Sequence, residues 1–494
     1  MASESPNKEY VIYRHEKIGL LDILSLLIFR RCLLSYKFVE ISDAKSVELR
    51  NVQVDSLTAR TLLCQKFLSA ISKPLKSFGG IIEFLLNLVA FNGGILRFIL
   101  SALTGKIKIP DPEAAYYRSI IAYIDDRLDL YKSKSFIGDF PLIEPKKGRL
   151  YEEFSELTMM ASKVAYENAA YIEEAVTDHW KMHFVGFYSC WNKFLNNYTT
   201  QAFIFCDKAE DANYIVLAFR GTEPFNAKDW VTDIDLSMLY MGKLGYVHLG
   251  FLKALGLQDE KDYRKGFPKD FPVEPDQPIA YYTLRAELKL LLRKHKNAKI
   301  VITGHSLGGA LATIFLCLLA MHDQVDILKS LLGVLTFGQP RVGNAGFQDY
   351  VDSVMISNYY RMVYRFDIVP RVPLDIPIIS PFKHGGICMY YNGWYERKED
   401  KEVPNPNYID PKYIIPMYLN AWGDLIKAFF LGKTQGKDFK EGIISLLYRA
   451  LGLIVPGVAS HSPRDYVNAG RLAKMTAKEV FYDKSFINEH ETYI

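Results

Sequence analysis

The stretch KIVITGHSLGGALATIFLCLLAM, residues 299–321, decides the fold class of this chain. It starts with a β-branched apolar run, passes through the pattern Gly-x-Ser-x-Gly at 304–308, and continues as a long run of small and apolar residues. This order predicts a buried strand, a tight turn and a buried helix. Such a turn holds the hydroxyl of Ser306 outward at the carboxyl edge of the strand, so we expect Ser306 to be a nucleophile. The alternative is a glycine-rich turn that carries a spectator serine.

The segments around this stretch alternate between strand and helix patterns. Further strands are predicted at 200–207, 214–220, 332–337 and 361–366, and a helix with proline in its first turn at 278–296. The run IVLAF at 215–219 is apolar at every position, which is typical of a strand covered on both faces. The alternation predicts an α/β fold with a mostly parallel sheet and helices on both sides.

A serine nucleophile needs a base, and the base needs an acid that orients it. In a sheet of this kind both follow the serine in the chain. Asp367 comes directly after the predicted strand 361–366, at the edge where active sites of α/β proteins assemble, and is the candidate acid. Asp349 and Asp352 fall in a predicted amphipathic helix and Asp375 lies near prolines, so these three are rivals.

Three histidines are candidates for the base or for a supporting role. His461 lies in the loop before the last predicted helix, and we expect it to be the base. His384 precedes a predicted strand at 387–391, which puts it at the opposite edge of the sheet and favours a hydrogen-bonded loop histidine. His305 lies inside the turn and is expected to orient backbone rather than to titrate in catalysis.

An acyl-transfer site also needs two backbone N–H groups that bind the developing oxyanion. One is expected from Leu307, next to the serine. The second should come from a loop after an earlier strand, and the loop after 215–219 places Thr222 there.

Composition excludes several other functions. The 494 residues contain 60 Lys and Arg against 56 Asp and Glu, a net charge of +4, so no nucleic-acid partner is expected. The six cysteines are scattered without a Cys-x-x-Cys pair, so we expect no metal and no redox cofactor. Aromatic residues make up 14% of the chain, which suits a protein that meets lipid.

The pattern divides the chain into four parts. They are a helical N-terminal region at 1–140, an α/β core at 141–394 that opens with a linker at 141–148, a helical insertion at 395–458, and the end of the core at 459–494. The insertion begins with a charged cluster at 396–402 and continues with two apolar stretches, at 413–431 and 442–455. These stretches make the insertion a candidate lid or interfacial element.

The segment 81–103 comes nearest to a membrane span, but four polar side chains are spread along it and would be costly in hydrocarbon. They are Glu83, Asn87, Asn92 and Arg97. The Asn-Gly-Gly triplet at 92–94 predicts a bend between two short apolar arms. This favours shallow insertion into a lipid monolayer, helped by the apolar run at 18–34. The alternative is that these helices pack onto the core.

Four motifs that occur in order resemble the class 3 lipases over about residues 150–475. They are FRGT at 219–222 with Asp229-Trp230 downstream, GHSLGG at 304–309, TFGQPRVGN at 336–344 and DIVP at 367–370. Three flanking patterns narrow the resemblance to the plant oil-body triacylglycerol lipases. They are NGG, GKI and IPD within 92–111, FKHGG at 382–386 and HSPRDYVN at 461–468.

The resemblance implies an α/β-hydrolase core with Ser306, Asp367 and His461 as the triad and Thr222 in the oxyanion loop. It implies a lid at 225–233, acylglycerol substrates, no cofactor, and a place on the cytosolic face of the lipid droplet (oil body) surface. A phospholipase A1 or galactolipase of the same class, and a catalytically silent lipase-like scaffold, are the alternatives. The sequence leaves the headgroup preference and the oligomeric state open.

Overall fold

A computed structural model describes residues 9–29, 31–131, 149–223, 226–272, 274–355, 358–379, 381–408 and 410–475. The linker predicted at 141–148 and the first residue of the predicted lid, Phe225, lie outside the described residues.

Two sheets are formed by the described residues. Their strands are β1 (Tyr10–Tyr13), β2 (Val39–Ile41), β3 (His183–Asn192), β4 (Asn197–Cys206), β5 (Tyr214–Phe219), β6 (Met238–Tyr240), β7 (Tyr246–His248), β8 (Lys299–His305), β9 (Leu331–Phe337), β10 (Tyr359–Tyr364), β11 (Ile387–Tyr391), β12 (Glu396–Asp400) and β13 (Lys474–Met475). The large sheet has the order β13-β12-β11-β10-β9-β8-β5-β4-β3. Its five central strands, from β11 to β5, are parallel, and β4, β3 and β12 are added antiparallel. The predicted α/β fold with a mostly parallel sheet is thus confirmed.

Helices precede, follow and cover this sheet. They are α1 (Leu20–Ile28), α2 (Asp43–Leu49), α3 (Ser56–Phe91), α4 (Ile95–Leu103), α5 (Ile120–Ile124), α6 (Arg149–Val164), α7 (Ala169–Glu174), α8 (Ala227–Asp233), α9 (Leu249–Leu255), α10 (Tyr263–Gly266), α11 (Ala280–Lys294), α12 (Leu307–Met321), α13 (Val325–Ser330), α14 (Ala345–Val354), α15 (Ile414–Thr434), α16 (Ile443–Leu451) and α17 (Pro463–Leu472).

Strand β5 shows why its sequence is apolar at every position. Ile215, Leu217 and Phe219 belong to the apolar cluster that contains α9, α11 and α12 on one face of the sheet. Val216 and Ala218 belong to the cluster with α6 and α17 on the other face. Both faces of the strand are therefore buried, as the sequence predicts.

The small sheet, in the order β2-β1-β6-β7, joins the N-terminal region to the core. In it β1 pairs antiparallel with β6, so that Tyr10 lies opposite Leu239 and Val11 opposite Met238. The prediction of a helical region at 1–140 did not include the two short strands β1 and β2. They form because Val11, Ile12 and Tyr13 gain burial from pairing with a strand far away in the chain.

The apolar segment 81–103 bends where the sequence predicts. Helix α3 ends at Phe91, and α4 begins after Gly93 and Gly94, which have positive φ values of 81° and 92°. The first arm is not short, however, because it is the end of a 36-residue helix that contains Pro74. Among the described helices, α3 alone is both long and apolar enough to cross a membrane.

One face of α3 packs on the protein and another is exposed. A Glu83 carboxylate oxygen accepts a hydrogen bond from the backbone N of Ile120 at 3.0 Å, and Asn87 bonds both backbone groups of Arg118. Phe78, Ile81 and Leu85 are exposed. Glu83 and Asn87 thus face the protein, which removes much of the cost that these two side chains would have in hydrocarbon.

The charged cluster at 396–402 differs from its sequence-based assignment to a helical insertion. Residues 396–400 form β12, which pairs antiparallel with β11 and extends the core sheet. A strand near the edge of a sheet tolerates charge. Its inward residue, Arg397, pairs with Glu152 at 2.6 Å and lies over the ring of Tyr151. The helical part of the insertion is α15 and α16.

Candidate active site

The turn between β8 and α12 forces Ser306 into a backbone conformation that side chains rarely adopt, with φ of 58° and ψ of −133°. A Cβ atom on Gly304 would lie 2.2 Å from the carbonyl carbon of Gly308. One on Gly308 would lie 2.3 Å from the carbonyl oxygen of Phe219 on β5. Backbones approach so closely here that only glycine fits, and the serine is held at the carboxyl edge of the sheet.

Three candidate residues from distant parts of the chain meet at this edge. The Nε2 of His461 lies 2.9 Å from the Oγ of Ser306, and its Nδ1 lies 2.9 Å from the Oδ2 of Asp367. Asp367 follows β10 and His461 directly precedes the loop into α17, as the sequence analysis expects. All three side chains are buried, and Ser306 is only 1% exposed.

The rival residues lie elsewhere. Asp352 is on α14 and accepts a hydrogen bond from the backbone N of Gly386, and Asp375 pairs with Lys383. His384 is buried and lies before the amino end of β11, where its Nε2 donates to the carbonyl oxygen of Pro370 at 2.7 Å. Burial and nearby arginines hold the pKa of His384 well below its ordinary value.

Asp367 is fixed by two further hydrogen bonds. The hydroxyl of Tyr466 on α17 donates to the same Oδ2 that faces His461, and the backbone N of Val369 donates to Oδ1 at 2.8 Å. Tyr466 was not predicted as a member of the site. Its only signal was its place in HSPRDYVN, five residues after His461.

His305 orients backbone, as expected. Its Nε2 lies 3.0 Å from the carbonyl oxygen of His461, and its Nδ1 lies 2.8 Å from the hydroxyl of Tyr166. Burial, together with the neighbouring His461, holds the pKa of His305 well below its ordinary value, so the ring is neutral. Because a carbonyl only accepts, Nε2 carries the proton and the Tyr166 hydroxyl donates to Nδ1. The two histidine rings stack with their centroids 4.5 Å apart.

Gly338 provides the room in which the acid and base meet. It lies just after β9 with a φ of 57°, and a Cβ atom there would lie 2.9 Å from both the Oδ2 of Asp367 and the Nδ1 of His461. Gly338 belongs to the motif TFGQPRVGN, which carries the family resemblance, but its local sequence does not predict this role.

Thr222 and Leu307, the candidate oxyanion donors, follow neighbouring parallel strands. Phe219 of β5 lies opposite Gly304 of β8, and each candidate comes three residues later. Thr222 is buried, and its hydroxyl donates to Asp233, the last residue of α8, at 2.9 Å. The loop that carries Thr222 is thus attached to α8.

Helix α8 occupies most of the predicted lid segment and packs against the site. The ring of Trp230 packs edge-on against the ring of His461, with centroids 5.9 Å apart. Just beyond α8, Asp235 accepts a hydrogen bond from Gln65 of α3 at 3.2 Å. The segment that packs against His461 is thus followed directly by a contact with the long N-terminal helix.

A mostly parallel sheet with a serine elbow, and with an acid and a histidine after later strands, defines the α/β-hydrolases. Within this class, the Lipase (class 3) family model matches residues 216–376. Triacylglycerol lipase OBL1 of Nicotiana tabacum is 39% identical over 480 residues, which cover 85% of this chain and 84% of that protein. Triacylglycerol lipase OBL1 of Arabidopsis thaliana is 36% identical over 490 residues, or 94% of each chain. The chain therefore belongs to the class 3 lipases, which are carboxylic ester hydrolases, and the resemblance to plant oil-body lipases is confirmed.

A more distant relative represents the alternative activity. Phospholipase A1-II 1 of Oryza sativa subsp. indica is 31% identical over 176 residues, which cover 32% of this chain and 39% of that protein.

Proposed function

We propose that this protein hydrolyses the acyl ester bonds of triacylglycerol, and of di- and monoacylglycerol, at a lipid surface and releases fatty acids. The observation that carries the proposal is the continuous contact from Ser306 through His461 to Asp367. The names of the two OBL1 relatives, which match over most of the chain, support the substrate class. The phospholipase relative matches about a third of the chain and supports its activity less.

In the proposed mechanism, His461 Nε2 takes the proton of Ser306 as Oγ attacks the ester carbonyl carbon. The buried carboxylate of Asp367 stabilises the imidazolium that forms. The N–H groups of Leu307 and Thr222 bind the oxyanion, and Leu307 is the first residue of α12, where the helix dipole favours negative charge. His461 then gives its proton to the departing alcohol, and a water molecule releases the fatty acid from Ser306 by the same steps.

The place of action that we propose is the cytosolic face of the lipid droplet surface. Exposed apolar residues on three N-terminal helices support it. They are Leu20, Leu21, Leu24, Leu27 and Ile28 on α1, Phe78, Ile81 and Leu85 on α3, and Ile95, Leu96, Ile99, Leu100 and Leu103 on α4. All six cysteines are free, which agrees with a reducing compartment. In this proposal residues 1–140 associate with lipid, 141–394 and 459–494 catalyse, and 395–458 serve as a lid or an interfacial element.

The substrate is tested by comparing emulsified triolein, phosphatidylcholine and galactolipid at equal surface area. We expect triolein to be hydrolysed at least about tenfold faster than the other two. A preference for phosphatidylcholine or galactolipid would replace the proposed substrate. Labelling by a fluorophosphonate probe, which reacts with an activated serine, excludes the silent scaffold, whereas no labelling of the folded protein would favour it.

Interfacial activation is expected because Ser306 is buried and Trp230 lies against His461. Lipid contact should move α8 and open the site. The rate on a short-chain triacylglycerol should therefore rise abruptly once its concentration exceeds its solubility. A rate that saturates smoothly across that limit would show that α8 does not gate access.

A further inference from the structure

Helix α16 has its charged face inside and its apolar face outside. Arg449 is only 3% exposed, and its guanidinium bonds Glu441 at 2.7 Å and Asp465 of α17 at 2.8 Å. On the opposite side, Ile443 is 76% exposed and Leu447 is 62% exposed. A helix on the surface of a water-soluble protein normally has the reverse arrangement.

Helix α15 is arranged in the same way. Asn420 and Asp424 are buried and bond each other at 3.2 Å, and the hydroxyl of Tyr364 on β10 donates to Asp424. The outward face carries large apolar side chains at intervals of three and four residues, which is one stripe of a helix. They are Ile415, Leu419, Trp422, Ile426, Phe429 and Phe430.

These exposed stripes of α15 and α16, which we name the insertion surface, continue the apolar face of α3. Ile444 of α16 packs in the same cluster as Ile82 and Leu86 of α3, around Ile121. The residues that precede them, Ile443 on α16 and Ile81 and Leu85 on α3, are exposed. A lipid layer that meets α3 would therefore meet α16 too.

The charges at the rim of the insertion surface fit lipid headgroups. The turn from α15 to α16 exposes three lysines, Lys433, Lys437 and Lys440, against one exposed acid, Asp438. Lysines at the end of an apolar helix extend to anionic headgroups, and tryptophan is favoured at the boundary between headgroups and acyl chains. Trp422 is exposed on α15.

Hydrogen bonds also connect the helices of the insertion surface to the segments that carry Asp367 and His461. Asp465, which bonds Arg449, is next in the chain to Tyr466, which donates to Asp367. The hydroxyl of Tyr448 on α16 donates to the carbonyl oxygen of Val458 at 3.0 Å, three residues before His461. The position of these helices on a lipid layer would thus fix the orientation of the site.

We propose that the insertion surface is a second lipid-binding surface, which lies on the phospholipid layer and turns the site toward its substrate. This rests on the proposed function at a lipid surface and adds a docking element outside the N-terminal region. The insertion surface and the exposed apolar faces of α1, α3 and α4 would hold the enzyme on lipid at two places. Each would therefore be needed for full activity on emulsified lipid.

The test introduces Leu447→Asp on α16 and Phe429→Asp on α15 into the full chain. The matched control is Leu290→Asp on α11, because Leu290 is 55% exposed and Phe429 is 59% exposed. Binding is measured in the Ser306→Ala background by flotation with triolein droplets coated with phosphatidylcholine and phosphatidylserine. We expect each variant of the insertion surface to lower the partition coefficient about tenfold, as loss of one buried apolar side chain predicts. The control should bind as the parent does.

The same variants are then made with Ser306 intact, and their hydrolysis rates are measured. These rates distinguish a loss of lipid binding from a damaged fold or a wrong substrate. The rate on a dissolved short-chain ester should stay unchanged, which shows an intact fold and triad, while the rate on the droplets falls. Binding equal to that of Leu290→Asp would overturn the proposal. A second result would also overturn it: the protein forms a dimer without lipid, and the substitutions dissociate this dimer but leave droplet binding unchanged. The insertion surface would then bind a second copy of the chain. If the parent floats with the droplets without hydrolysing triolein, the proposed substrate fails and the surface stands.

Discussion

Ser306→Ala is expected to lower the rate on an emulsified ester by roughly 10⁴-fold or more, because no other group can form the acyl-enzyme. The fold should survive, since the hydroxyl contacts only His461 among the hydrogen bonds described for it. The measurement is turnover on emulsified triolein together with thermal unfolding of the purified variant.

His461→Ala should lose a similar factor, and the double variant should be little worse than either single one, because the residues act as a unit. His384→Ala is the comparison, since His384 bonds Pro370 and does not reach Ser306. It should keep much of the turnover per folded molecule. Half of the normal turnover in Ser306→Ala, or an inactive His384→Ala beside an active His461→Ala, would show that the site has been assigned to the wrong residues.

Gly338→Ala should have the second largest effect, a loss of about 100-fold or more in kcat. The added methyl would lie 2.9 Å from Asp367 Oδ2 and from His461 Nδ1, at a φ of 57° where alanine costs about 1–2 kcal/mol. The acid and base must move apart to admit it, and small displacements of reacting groups lower rates steeply. The measurement is kcat on a dissolved short-chain ester.

Gly470→Ala is the matched control, because Gly470 lies on α17 with no heavy atom within 4 Å of its added Cβ. It should keep its kcat and unfold at the same or a slightly higher temperature, since alanine favours helix. If Gly338→Ala keeps more than half of kcat, the space beside the acid–base pair is not needed for catalysis.

Local sequence predicts the sheet and its serine turn because both depend on neighbours in the chain. The apolar run at 215–219 indicates a strand buried on both faces. The glycines at 304 and 308 are required because backbone of the same turn and of the neighbouring strand lies too close for a side chain. Asp367 and His461 could be found because active-site residues of such sheets follow strands at one edge. Their role in catalysis stays a prediction for the variants above.

Contacts between residues that are far apart in the chain could not be predicted from the sequence. Tyr466 meets Asp367 across 99 positions and Tyr166 meets His305 across 139. Nothing in the local pattern of a tyrosine distinguishes these from the other tyrosines of the chain. The role of Gly338 likewise depends on two side chains that only the folded chain brings beside it.

By itself the sequence predicted a helical insertion at 395–458 with apolar stretches at 413–431 and 442–455. The tertiary structure alone decided that the apolar stripe of α15 and α16 faces outward. Periodicity shows that a helix has two unlike faces, and the usual assumption is that the apolar one is buried. Here the inward face is set by ion pairs between segments, as Arg449 meets Asp465, and the energy of these buried contacts depends on partners that periodicity does not reveal.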